Sequence, residues 1–185
     1  MTDTIALARA RLVLVDYQAR LLPAIHDGGA VLAEAVRLAG IARALGVPVI
    51  GTEQNPAGLG PTAPALQGML GEVVTKMHFD ACEDGLVARL GRGGPHDVVV
   101  AGCETHVCLL QTVLGLLRAG QRVWVAANAC GTRRPAEHTL ALDRLRGAGA
   151  VIVSVEMVAF EWLHHCRHPD FKGVLSLVKP LGGAG

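Results

Sequence analysis

Aromatic side chains make up only 3% of this 185-residue chain: three Phe, two Trp and one Tyr. That leaves few flat surfaces on which bases could stack. Excess charge is also missing, because 17 basic and 16 acidic side chains give a formal net charge of +1. With no basic stripe or charge block, no nucleic-acid or anionic-membrane partner is expected. No uninterrupted apolar run is long enough to span a bilayer as a helix. Arg9 and Arg11 interrupt any apolar signal core near the start, and no small-residue cleavage site follows. A soluble, cytoplasmic protein is expected. Paired cysteines are absent as well. The five, at positions 82, 103, 108, 130 and 166, are odd in number and form no C-x-x-C motif. Reduced thiols, mostly small buried hydrophobes, are therefore the default.

Apolar residues are plentiful, at 51% of the chain. That suffices for one compact domain over residues 1–180, with the Gly-rich 181–185 as a flexible tail. Short runs rich in Val and Ile recur at 11–16, 47–53, 72–76, 97–102, 122–127 and 150–155. They do not alternate apolar with polar, so they read as strands buried on both faces, as in parallel sheets. Helical patterns lie between most of them, at 30–46, 83–94, 105–120 and 135–149. A last one runs from Val158 towards His168. Alternation of this kind predicts a three-layer α/β/α sandwich, Rossmann-like, on a mostly parallel six-stranded sheet.

In such sheets ligands bind beyond the carboxyl ends of the strands. The first strand ends at Asp16 and the third at Lys76. The fourth runs into the turn Gly102-Cys103-Glu104-Thr105-His106-Val107-Cys108. An acid, a base and a thiol thus share one edge. With Thr105 as N-cap, Cys108 falls in the first helical turn, where free N–H groups and the helix dipole would stabilise a thiolate. Asp16 could take the thiol proton, Lys76 could pair with Asp16, and the turn's N–H groups could hold an oxyanion. Each residue also has a plain structural reading: Asp16 as a helix cap, Lys76 as a solvated lysine, Cys108 as a packed side chain. His164 and His168 are spaced one helical turn apart, which can grip zinc. Without a third ligand nearby, a polar helix end is the preferred reading. His78 and His106 could face substrate or solvent.

The stretches "LVLVDYQARLLPAI", "VPVIGTEQNPAGLGPT", "VVTKMHFDA", "VVVAGCETHVCLLQT" and "HPDFK" follow one another in this order along nearly the whole chain. With them the sequence resembles the isochorismatase-like cysteine hydrolase superfamily, in its isochorismatase-domain-containing branch. The resemblance implies a catalytic triad of Asp16, Lys76 and Cys108. It also implies a cis peptide joining Cys103 to Glu104, and an oxyanion hole from the N–H groups of Glu104 and Cys108. Cys103 is then structural. Homo-oligomers, dimers or larger, are common in the family. Nicotinamidases of the superfamily carry an Asp-x-His metal motif after the second strand. Here Glu53, Gln54 and Asn55 stand in that loop, so no metal and no cofactor are expected. Enzymes that cleave isochorismate often lack the cysteine, so Cys108 favours attack on a carbonyl carbon.

The resulting expectation is a metal-independent cysteine hydrolase. It would cleave a small amide or related C–N bond through a thioester on Cys108. Glu53, Gln54, His78 and His106 are candidates for lining the substrate pocket. Two rivals stand beside this reading. One is a redox or electrophile sensor at Cys108. The other is a non-catalytic binding protein on the same fold.

Overall fold

A computed structural model describes residues 4–179. The tail expected at 181–185 lies outside these residues. Six strands form one sheet: β1 (Ala10–Val15), β2 (Val49–Gln54), β3 (Glu72–Lys76), β4 (Asp97–Gly102), β5 (Arg122–Ala126) and β6 (Val151–Val153). Their order is β3-β2-β1-β4-β5-β6, and every pairing is parallel. All six residues of β4 are buried, as are all but Arg11 in β1. This double burial is why these runs carry no alternation.

The longer helices are α1 (Gly28–Ala44), α5 (Leu110–Arg118), α6 (Pro135–Gly147), α7 (Val155–Leu163) and α8 (Phe171–Val178). Three single turns join them: α2 (Pro56–Leu59), α3 (Pro64–Gln67) and α4 (Leu86–Arg89). α1, α7 and α8 pack together, and α5 packs on α6. The chain steps outward from β1 in one direction through α1, and outward from β4 in the other through α5. Right-handed crossovers therefore put the two helix groups on opposite faces of the sheet. The direction reverses between β1 and β4, the place where open α/β sheets form their ligand crevice.

Three expectations need correction. The helix foreseen at 83–94 is only the turn Leu86–Arg89, because Gly85, Gly91, Gly93 and Gly94 all take positive φ. The last helix begins at Val155 and stops at Leu163, where His164 has φ 62°. A further helix, α8, follows it. His164 and His168 are therefore not successive turns of one helix, and the zinc spacing read from them is lost. Among the described residues no three of His, Cys, Asp and Glu are grouped to hold a metal ion. Among them, too, no helix is long and apolar enough to cross a membrane.

Candidate active site

Asp16 follows directly on β1, with φ 54° and no exposed surface. A non-glycine residue rarely takes that backbone conformation. Two neighbours hold it there. Its N–H donates to the Thr52 carbonyl at 3.2 Å, and its Oδ1 accepts from the Thr52 hydroxyl at 2.6 Å. Lys76 ends β3, and its ammonium stands 2.8 Å from Asp16 Oδ2 with both side chains fully buried. The plain readings of Asp16 as a cap and Lys76 as a surface lysine are thus excluded. The ammonium also donates to Gln54 Oε1 at 2.7 Å and faces the His78 and Phe79 carbonyls at 3.4 Å. Its contact with Asp16 is an ion pair that is poorly aligned for hydrogen bonding. Asp16 Oδ2 is left with no hydrogen-bond partner.

The thiol arrives from the other half of the sheet. Gly102 closes β4 against Val15, and a Cβ there would lie 2.3 Å from the Val15 carbonyl oxygen. Only glycine permits that approach. The Cys103–Glu104 peptide is cis. Residues Thr105–Leu109 then form a π-helical turn, with Leu109 N–H donating to the Glu104 carbonyl, before α5 begins. Thr105 is not the N-cap. Glu104 occupies that position, and the Thr105 hydroxyl turns away to the Gly131 carbonyl and His138 Nδ1, each at 3.0 Å. Cys108 Sγ lies 3.9 Å from Gln54 Oε1, and the thiol is nearly buried.

The electrostatics of this thiol differ from the sequence expectation. Burial, then the Asp16 carboxylate, push Cys108 up to about 12, against a smaller opposing pull from Lys76. The helix start does not produce a standing thiolate. Asp16 and Lys76 already cancel, so an added thiolate would leave a buried net negative charge. At neutral pH a thiol of this kind stays protonated. Ionisation requires an acceptor beside the sulfur, and the Asp16 carboxylate, which interacts directly with the thiol, is such a group.

The remaining candidates separate. Gln54 is in the site, but as a partner of Lys76, and its Nε2 donates to the Met77 carbonyl. Glu53 Oε1 accepts from the Thr62 N–H and hydroxyl, fastening the 55–64 loop. His78 is exposed, with its ring against Asp84 and Glu83. His106 Nδ1 meets the Thr132 hydroxyl at 2.8 Å, and with Arg133, Arg134 and Glu137 the residue lines a cleft of about 240 Å³. The Glu104 carboxylate accepts from the Thr132 hydroxyl and from the Arg133 N–H and Nε. Burial alone would raise Glu104, but the Arg133 hydrogen bonds and charge win and hold it below the usual range. Sequence reasoning missed Thr52, Thr132 and Arg133. A threonine among apolar strand residues was the one available signal, and nothing local links 104 to 133. Where nicotinamidases carry their metal motif, Gln54 is turned to Lys76, so this donor set does not fit a metal.

The model of the isochorismatase domain family matches residues 10–157. The mouse isochorismatase domain-containing protein 2A is 34% identical over 175 residues, 94% of this chain and 85% of the mouse protein. The structure of the MAR1 ribonuclease from Caenorhabditis elegans superposes with TM-score 0.89 at 28% identity, covering 98% of this chain and 95% of that one. YcaC from Pseudomonas aeruginosa, solved with hexane-2,5-diol and covalent acrylamide, gives TM-score 0.87 at 26% identity, covering 97% and 94%. With the fold and the family match in agreement, this chain belongs to the isochorismatase family.

Proposed function

We propose that the protein is a metal-independent cysteine hydrolase of small amides or related C–N bonds, with Cys108 as nucleophile. The carrying observation is the buried Asp16–Lys76 pair acting on a thiol that burial keeps protonated. As the substrate carbonyl approaches, Asp16 takes the Cys108 proton and Sγ bonds to the carbonyl carbon. The carbonyl electron pair moves to oxygen, towards the backbone N–H groups of Glu104 and Cys108. Collapse breaks the C–N bond, and Asp16 returns the proton to the leaving nitrogen. Water then attacks the thioester with Asp16 again as base, releasing the acid and restoring the thiol. Lys76 pairs with the buried Asp16 carboxylate, and Gln54 holds Lys76. Asp16 and Lys76 also give the site a use that a mere binding protein would not need.

The acrylamide adduct of the Pseudomonas aeruginosa relative supports an electrophile-accepting site in this family. Sensing by a standing thiolate is disfavoured, since burial and Asp16 both oppose that charge. Phosphate chemistry finds no support at the triad, where Lys76 is fully buried and committed to Asp16. A homo-oligomer is part of the proposal, because the β3 edge of the sheet is open and exposes Val73, Met77 and Phe79.

The test is a screen of small amides for released amine, with mass analysis of the Cys108 peptide after quenching. The expected result is amine release with an acyl group on Cys108, and no turnover by Cys108→Ala. Full turnover by that variant would overturn the mechanism.

A further inference from the structure

We propose that Thr52 is a positioning residue that fixes the orientation of the Asp16 carboxylate that receives the thiol proton. The inference rests on the hydrolase reading above and deepens it. Thr52 lies in β2, opposite Val15 in the ladder and 1% exposed. Its hydroxyl donates to Asp16 Oδ1 at 2.6 Å, a short bond of the kind expected when the acceptor is charged. One lone pair of Oδ1 is therefore filled. Oδ2 faces the Lys76 ammonium at 2.8 Å but accepts no aligned hydrogen bond.

With the Thr52 hydroxyl on Oδ1 and the ammonium facing Oδ2, the carboxylate is held in one orientation from both sides. Lone pairs remain on it for the Cys108 hydrogen to enter. Thr52 holds Asp16 twice, through its carbonyl to the Asp16 N–H and through its hydroxyl to the carboxylate. Replacing the side chain removes only the second hold. Without it the carboxylate can turn, its two oxygens become interchangeable, and its charge loses a buried donor.

The experiment follows the rate of Cys108 alkylation by iodoacetamide at neutral pH, read by peptide mass spectrometry, in wild type, Asp16→Asn, Thr52→Val and Thr52→Ser. Proton transfer to Asp16 makes the wild-type rate depend on a correctly held carboxylate. Loss of the hydroxyl donor is then expected to lower the Thr52→Val rate about tenfold at neutral pH, while Thr52→Ser keeps the wild-type rate. A merely structural threonine would not move this rate, nor would serine restore it. Coincident wild-type and Thr52→Val rates, with Asp16→Asn altered, would overturn the Thr52 role alone. An unaltered Asp16→Asn would instead overturn the hydrolase reading beneath it. Should Thr52→Val fail to fold, Thr52→Ala against Thr52→Ser makes the same comparison with the same outcomes.

Discussion

Glu104 shows how much of this site lies in pairings far apart in sequence. Its backbone belongs to the turn before Cys108, while its carboxylate is held by Thr132 and Arg133 from beyond β5. Its acidity is depressed in the fold despite burial. A depressed carboxylate stabilises the native state above its unfolded value, near pH ~4.3, and loses that contribution as pH falls through the lower folded value. Arg133 is 60% exposed at its side chain, so solvent screening limits the effect. Glu104→Gln should cost about 1 kcal/mol at pH 7, or about 2–4 °C in melting temperature. The gap to wild type should close below about pH 4. Thermal melts at both pH values check this, and a gap independent of pH would refute it. Asp16, Lys76 and Cys108 were legible because each ends or follows a recognisable strand. Thr52 was not, because its value lies in a cross-strand hydrogen bond that spacing within one strand cannot reveal. The acidity of Cys108 was misread for a related reason. Sequence placed it near a helix start, but burial and the charge of Asp16 outweigh that position.

At the scale of elements, the strands were legible and the helix limits less so. Val and Ile runs reveal double burial directly, whereas helix lengths depend on where single residues adopt left-handed backbone. His164 is such a residue, and it divides what read as one closing helix from the unforeseen α8. The junction of β4 with the π-helical turn depends on one residue in a different way. Gly102 pairs with Val15, and Asp16 is the next residue along. A methyl group at 102 would overlap the Val15 carbonyl and Cβ, at 2.3 and 2.6 Å, so the two strand ends would have to part. That movement would separate the acid from the turn carrying the thiol. Gly102→Ala should lower stability by at least about 2 kcal/mol, seen as a reduced urea midpoint at unchanged slope. It should also slow Cys108 alkylation at neutral pH. A variant with wild-type midpoint and alkylation rate would show that the close approach is dispensable.

For the whole molecule, the strand order leaves β3 and β6 at the sheet edges. β3 is the more consequential, because it ends in Lys76. It exposes Val73, and the loop just beyond exposes Met77 and Phe79, at 68% and 51%. An open edge bearing apolar side chains invites a further chain, and proteins normally protect such edges with charge, proline or a covering element. No proline stands in 72–79, and the exposed side chains between Val73 and Phe79 are mainly apolar. The covering element we propose is a second copy of this chain. The carbonyls of His78 and Phe79 face the Lys76 ammonium, so a copy seated there would steady the loop that steadies the triad. Light scattering after size exclusion should give a mass of at least two chains for wild type. Met77→Glu combined with Phe79→Glu should lower that mass and reduce Cys108 alkylation, although neither side chain belongs to the triad. A wild-type mass of one chain would remove the proposed assembly. An unchanged assembly in the double variant would move the interface away from β3, and with it the link between association and the site.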